Sequence, residues 1–283
     1  MTRMHHEVLE SEQGRLIYRK NITEDLAVFR FECKDKSNMK NFEPGQFVNL
    51  GLKIDETEII HRPYSISSSP NEKKYYEFYI KHKEHPTLGK FTTALFKMNL
   101  EESVFLQSPR GSFTIEKKKP NETPDTRHMI LVCSGTGLAP FMSYIRHLKN
   151  TDSRKKVTLV HGVSYARELG YRDFLEKLDA KKNECLDFTY IPTVSRPNDK
   201  LSEGWNGNTG RAESIISGIE KHESKLEKDL RMHVTPDNSI VYICGYKTLI
   251  EYIASMLSPL GFVDNRHKRK DGTFDIKYEL YGV

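Results

Sequence analysis

Cysteine is scarce in this chain of 283 residues. The four present, Cys33, Cys133, Cys185 and Cys244, are widely spaced and form no CxxC pair. That spacing argues against a zinc ribbon or an iron–sulfur module on the same polypeptide. Isolated thiols fit a reducing compartment. Long apolar runs are also missing, and none approaches the roughly 20 residues that cross a bilayer. The start, Met1 to Glu10, is polar, carries His5, His6 and Glu7, and lacks the apolar core of a signal peptide. A cytoplasmic location is therefore expected. Charge of one sign is weak: 44 Lys and Arg against 39 Asp and Glu give a formal +5, too little to argue nucleic-acid binding. No internal repeat or low-complexity segment occurs.

What is present fits a globular protein with two cores, since 37% of residues are hydrophobic and 29% charged. The first part reads as short strands at 7–21, 27–33, 46–52, 64–67, 75–81 and 103–107. Turn residues such as Glu43-Pro44-Gly45 and Ser69-Pro70-Asn71 separate them, which suggests a closed antiparallel barrel. One helix is expected at about 91–97. The charged, proline-containing stretch from Glu116 to Arg127 reads as a linker. Beyond it, apolar strands at 129–133, 157–160, 187–194 and 240–244 alternate with helices at 140–148, 172–182, 211–228 and 247–257. A last strand is expected at 273–280. That alternation argues a parallel α/β sheet. The domains are placed at 1–122 and 123–283. Basic clusters at Lys34/Lys36/Lys40, Lys117–Lys119 and Arg266–Lys270 are surface residues that together offer a face for an acidic protein partner.

Two segments carry chemistry. The run Cys133-Ser134-Gly135-Thr136-Gly137-Leu138-Ala139-Pro140-Phe141 joins an apolar strand to a helix. Glycines allow a sharp turn and a close ligand, and free N–H groups at a helix start face an anion. Pro140 suits a first helical position. A tight turn without a ligand has the same pattern. In the first half, His61-Arg62-Pro63-Tyr64-Ser65-Ile66-Ser67-Ser68 offers a guanidinium for a phosphate, a ring for a flat cofactor and a hydroxyl beside it. An ordinary edge strand would also read this way.

The order of these motifs resolves the ambiguity. Arg62-Pro63-Tyr64-Ser65, then Gly89-Lys90-Phe91-Thr92, the GTGLAP loop, Ile243-Cys244-Gly245 and a terminal Glu279-Leu280-Tyr281 follow one another. This pattern resembles the ferredoxin–NADP reductase family over nearly the whole chain. His161-Gly162-Val163, Val194-Ser195-Arg196 and Thr209-Gly210-Arg211 match too, and the basic stretch before the last strand resembles bacterial members. The resemblance implies an antiparallel FAD barrel followed by a Rossmann-like NADP domain.

It also implies roles. Arg62 would hold the FAD pyrophosphate, Pro63 and Tyr64 would lie near the flavin ring, and Ser65 would hydrogen-bond near flavin N5. Ile80, Lys81 and His82 match a strand lining the FAD, and Lys90, Phe91 and Thr92 match a helix start that binds its pyrophosphate. Thr136 matches the residue between flavin and nicotinamide. Cys244 and Glu279 match residues near the hydride-transfer site, although buried cysteine also serves simple packing. Tyr281 matches the aromatic covering the second flavin face, but Gly282 and Val283 follow it, a departure from many relatives. Gly135, Gly137, Ser164, Tyr165, Ser195, Arg196, Arg211, Gly245, Tyr246 and Lys247 fall at the NADP site.

Arg196 and Arg211 match phosphate-binding arginines, while a third used by some relatives is Ser164 here. No acid follows the second parallel strand before Glu168, where a bare ribose would want one. NADP(H) is therefore expected over NADH. The segment around Ser195-Arg196-Pro197 and Trp205-Asn206-Gly207 also resembles NADH-using oxygenase reductases. The expected activity is FAD-dependent electron exchange between NADP(H) and ferredoxin or flavodoxin, by a monomer. An NAD(P)H-dependent reductase component of an oxygenase or other redox chain is the alternative. Complete motifs for both cofactors argue against a non-catalytic flavin subunit.

Overall fold

The structure is a computed structural model, and it describes residues 12–35, 39–82, 89–115, 125–151, 155–180 and 186–281. Contacts group the chain into two compact units, Met1–Ile115 with Ala139–His147, and Glu116–Leu138 with Leu148–Val283. The boundary expected at 122/123, Lys117–Lys119 and Cys185 lie outside the described residues.

The first unit is a six-stranded antiparallel sheet of β1 (Glu12–Thr23), β2 (Leu26–Cys33), β3 (Phe47–Lys53), β4 (Ile59–Ser65), β5 (Tyr76–Lys81) and β6 (Ser103–Leu106). The order is β4-β3-β6-β1-β2-β5. A bridge between Ile66 and Phe78 joins the two ends of that order, so the sheet curls into a barrel. Phe29, Phe31 and Phe78 are fully buried in its centre. Helix α1 (Lys90–Lys97) adds Phe91 and Leu95 to the same core. β4 starts five residues before the expected 64, because Ile59 to Tyr64 pair in continuous register with Lys53 to Val48. Glu77, 1% exposed on β5, accepts from Arg30 Nε at 2.8 Å and from Arg146 at 2.6 Å. Burial opposes its charge, but the two guanidiniums outweigh that and keep the carboxyl below its ordinary pKa. Arg146 also donates to the carbonyl of Ser67 at 2.7 Å, which holds the chain just beyond β4.

The second unit is a six-stranded sheet of β7 (His128–Ser134), β8 (Lys156–Val163), β9 (Asp187–Val194), β10 (Asn208–Thr209), β11 (Ser239–Gly245) and β12 (Ile276–Leu280). Every pairing is parallel and the order is β10-β9-β8-β7-β11-β12. All seven residues of β11 and Met129 to Cys133 of β7 are buried, as central parallel strands covered on both faces must be. The helices are α2 (Leu138–Asn150), of which Ala139–His147 group with the first unit, α3 (Arg172–Ala180), α4 (Ala212–Ile216), α5 (Lys225–Leu230) and α6 (Lys247–Leu257).

The single helix expected over 211–228 is broken into α4, a short 3-10 turn at Ile219–Lys221, and α5. Ala212, Ile215, Ile216 and Ile219 keep helical spacing and are all buried, which is why the sequence reads as continuous. Gly218 at φ 85 interrupts it, and Ser224 restarts the chain by accepting the Glu227 N–H. The two-residue β10 had no sequence signal. The last strand begins at Ile276 rather than 273; the Asp275 carbonyl still accepts the Val241 N–H of β11 at 2.8 Å, and its side chain is a buried carboxylate. This carboxylate, 2% exposed, takes Arg127 at 2.8 Å, Arg269 at 2.5 Å and the Val263 N–H at 2.9 Å. Arg269 of the basic cluster is thus structural. Among the described residues, no helix is long and apolar enough to cross a membrane.

Asp275→Ala leaves two half-solvated guanidiniums and a backbone N–H without their acceptor. We expect a loss of about 2–3 kcal/mol in urea unfolding. Arg269→Ala, at a side chain 36% exposed, should cost under about 1 kcal/mol. Equal costs would refute the central role of Asp275.

Candidate functional site

In the first unit, β4 is an edge strand and presents the expected residues in alternation. Arg62 is exposed, and its described side-chain bond is to the adjacent His61 carbonyl at 2.8 Å. Tyr64, two residues on and so on the same face, is half-buried. Its ring lies 5.6 Å from that of Phe91, tilted by 32°. Burial raises the Tyr64 pKa, with Arg62 only partly opposing, so the phenol stays protonated. Pro63 is exposed, and Ser65 is buried at the end of the strand.

The Tyr64–Phe91 contact brings the start of α1 beside β4, and Lys90 reaches Glu58 at 3.3 Å. Gly89, the cap residue, offers no side chain, and no acid lies in the first turn. Thr92 donates its hydroxyl to the Gly89 carbonyl at 3.2 Å instead of capping an amide. Among the described residues no side chain caps the first amides of α1, and Arg62 is exposed on the strand beside it, an arrangement suited to an anion. Lys81 is exposed and pairs with Asp25 at 3.3 Å. His82 bonds Thr93 at 3.0 Å and stacks on Phe96 at 5.3 Å. Ile80 points into the core, 2% exposed, so what it can offer a ligand is its backbone.

In the second unit, β7 is the point where strand order reverses: β8 and β9 run out on one side, β11 and β12 on the other. In open α/β sheets the crevice at the carboxyl ends of such strands is where ligands bind. The glycine turn sits there. Gly135 has φ 53, and a Cβ built on it would meet nothing within 4 Å, so the turn opens outward. A Cβ on Gly137 would overlap the carbonyl oxygen of Cys244. One on Gly245 would lie 2.6 Å from Ser134 Oγ. Ser134 Oγ is itself buried and, among the described residues, has no hydrogen-bond partner. Thr136 is half-buried in the turn, and α2 follows with no acid in its first turn. An open turn, an orphaned hydroxyl and a helix start fit a dinucleotide phosphate.

Cys244 faces Cys133 and Glu279 in the strand register. Burial pushes its pKa well up, with Glu279 and Cys133 adding and a Tyr281 side-chain bond opposing. It is a neutral thiol, as is fully buried Cys133. Cys33, Cys133 and Cys244 are all free and buried. Tyr281 donates its backbone N–H to the Gly245 carbonyl at 2.8 Å. Tyr246 and Lys247 are exposed at the start of α6.

At the ends of β8 and β9, Ser195 N–H bonds the Val163 carbonyl at 3.0 Å and Arg196 N–H bonds that of Ser164 at 2.9 Å. The Arg196 guanidinium lies over the Tyr165 ring, 5.2 Å from its centroid, and donates to its hydroxyl. Arg211, exposed, precedes α4, whose Ala212 N lies only 2.7 Å from where a Cβ of Gly162 would be. Gly162 thus lets the start of α4 approach the end of β8. The structure brings Ser164, Tyr165, Ser195, Arg196 and Arg211 to one end of the sheet.

Three contributors have no site role assigned from sequence, although all three fall in or beside its motifs. Ser134 was signalled only by being polar at the end of an apolar strand. Glu168 is 8% exposed, and its Oε2 accepts the N–H groups of Ser164 at 3.0 Å and Tyr165 at 3.1 Å. His161, fully buried on β8, bonds Tyr190 at 3.3 Å. Burial drives its pKa to about 4, only partly offset by the Gly135 backbone, so a neutral imidazole supports the turn.

Residues 13–115 match a family described as an oxidoreductase FAD-binding domain, and residues 131–255 one described as an oxidoreductase NAD-binding domain. The flavodoxin/ferredoxin–NADP reductase of Buchnera aphidicola is 27% identical over 232 residues, 81% of this chain and 82% of that protein. The ferredoxin–NADP reductase of Pseudomonas aeruginosa is 29% identical over 245 residues, covering 83% and 84%. A ferredoxin–NADP reductase from Neisseria gonorrhoeae, solved with FAD and NADP, superposes with a TM-score of 0.76 at 23% identity, over 96% of this chain and 98% of that one.

His161 and His128 are both held near pKa 4, chiefly by burial. Imidazoles of the unfolded chain titrate near 6.5, so on acidification the unfolded state takes up protons first. Stability should be complete above about pH 6.5 and fall progressively towards pH 4. His161→Gln should flatten the fall, measured by urea unfolding at successive pH values. A variant curve as steep as the parent's would refute this.

Proposed function

We propose, from its matches to oxidoreductase FAD-binding and NAD-binding domains and its likeness to ferredoxin–NADP reductases, that the chain is a member of that family and exchanges hydride with NADP(H) and single electrons with a ferredoxin or flavodoxin. The observation that carries this reading is the glycine turn after β7, with its open Gly135, its Gly137 backed on Cys244 and its Ser134 hydroxyl without a partner among the described residues. Bound FAD supplies the redox chemistry, taking or giving two electrons as hydride on one side and single electrons on the other.

The protein's part is to bind and orient. Arg62 and the uncapped amides of α1 would hold the FAD pyrophosphate. The protonated Tyr64 ring, steadied by Phe91, would lie along the flavin, with Ser65 offering a hydroxyl near N5. The turn 135–137 and the start of α2 would hold the nucleotide pyrophosphate. Cys244 would present a dry, neutral thiol near the nicotinamide, with Glu279 and Tyr281 beside it.

Coenzyme choice rests on the end of β8. A ribose without a 2′-phosphate wants a carboxylate there. The acid at that place, Glu168, is already engaged by the backbone N–H groups of Ser164 and Tyr165. Arg196 and Arg211 supply cations instead, which favours NADP(H) over the NADH-dependent oxygenase-reductase reading. Exposed Arg266 and Lys268, lying over the Tyr278 and Phe274 rings, support an acidic redox protein as partner.

The test is an anaerobic spectrum of the purified protein with each coenzyme. A flavin bleached much faster by NADPH than by NADH is expected. Faster bleaching by NADH would move the protein to the oxygenase-reductase reading, and a flavin reduced by neither would overturn the activity. Arg211→Ala should raise KM for NADPH about tenfold, roughly one charge-assisted hydrogen bond, and spare NADH. Equal losses for both coenzymes would refute the phosphate role. Ser65→Ala should slow flavin reduction in rapid mixing about tenfold while FAD stays bound, and an unchanged rate would refute its part.

A further inference from the structure

The connection from β10 to β11 carries three metal-binding side chains that the flavin chemistry does not use: His222, Glu227 and His233. They sit on the segment where the expected helix is broken. His222 ends the 219–221 turn at φ 58, a left-handed conformation that is strained for a non-glycine residue. Arg231, left-handed at φ 53, ends α5. The chain then returns His233 beside His222, with ring centroids 4.3 Å apart. Both rings face the Glu227 carboxylate. Its Oε1 is 2.9 Å from His222 Nδ1 and 3.6 Å from His233 Nδ1.

That carboxylate is 3% exposed and fixed from behind. Oε2 accepts the Ser224 hydroxyl at 3.0 Å, and Oε1 accepts the Val234 N–H at 3.0 Å. Burial disfavours its charge, but His222, the Val234 N–H and Ser224 outweigh that and keep its pKa low. Ile219, Leu226 and Val234 anchor the same segment in the apolar core. The three donors therefore project from a rigid frame.

The geometry points to a divalent-cation site of the zinc class formed by His222, Glu227 and His233. Two imidazole nitrogens and a carboxylate oxygen are donors that zinc accepts. With metal–ligand bonds of about 2.0–2.2 Å, tetrahedral donors lie about 3.3 Å apart. The two distances to Glu227 Oε1 bracket that spacing, and all three donor atoms lie within 4.8 Å of one another. His233, 69% exposed, has room to close the difference and leaves the fourth position to water. Ser224 and the Val234 N–H are the outer hydrogen bonds that hold a ligand carboxylate in place. The segment leads into the amino end of β11, whereas the glycine turn lies at the carboxyl ends of the strands. The metal is thus a structural clip on the connection and takes no part in electron transfer.

The test uses the full-length, FAD-loaded protein with His5 and His6 replaced by alanine, so that the N-terminal histidines do not compete. Equilibrium dialysis against zinc sulfate, with metal measured per chain, should give one equivalent, and zinc should raise the melting temperature. His233→Ala, at an exposed side chain, should keep the flavin spectrum, weaken zinc binding at least tenfold and lose the zinc-dependent rise in melting temperature. His222→Ala should do the same. Zinc bound equally by parent and variants, or not bound by the parent, overturns the site and leaves the flavoenzyme reading untouched.

Discussion

At the carboxyl end of the second sheet two glycines let neighbouring segments come into close contact. Gly137 rests on the Cys244 carbonyl, and Gly245 rests on Ser134. Any larger residue at either place would force β7 and β11 apart or push the turn outward. The near contact lets the 135–137 turn fold tightly enough to aim its amides away from the protein. It also seals Cys133 and Cys244 from water, which is why burial lifts both thiols well above their usual pKa. A cysteine so placed is a hydrogen-bonding, space-filling group rather than a nucleophile.

The candidate site of the first unit is built by other means. It has no glycine turn. It uses an edge strand, whose outer face is free of a neighbouring strand, to carry Arg62 and Tyr64. A short helix with a side-chain-less cap residue supplies the amides. The ion-paired Glu77 and the Ser67 carbonyl fix the chain just beyond Ser65. Rigidity therefore comes from a buried charge in one unit and from backbone contact in the other.

Much of this was legible in the residues. Parallel strands buried on both faces announce themselves as apolar runs, and β9 and α6 have the expected limits. The glycine turn was readable because it needs particular residues at fixed offsets. Other features were not legible because they depend on partners remote in sequence. Helical spacing from Ala212 to Ile219 hid the break at Gly218. β4 begins at Ile59 only because β3 offers it a ladder. Glu168 looks like any surface acid until its carboxylate is seen to collect two backbone amides. Nothing local marks His161 as a buried neutral base, since its surroundings come from β7, β9 and the turn.

The strand order has a consequence for how the protein is made. β7 pairs with β8, which follows it closely, but also with β11, which is synthesised far later. Sheet growth through β8 and β9 can proceed while the chain is still emerging. The floor under the glycine turn arrives only with Cys244 and Gly245. During translation the turn would thus exist for many seconds without the backbone it leans on. The turn gains its support only when nearly the whole second half has left the ribosome, and loop-closure entropy makes the docking of β11 a late and costly step.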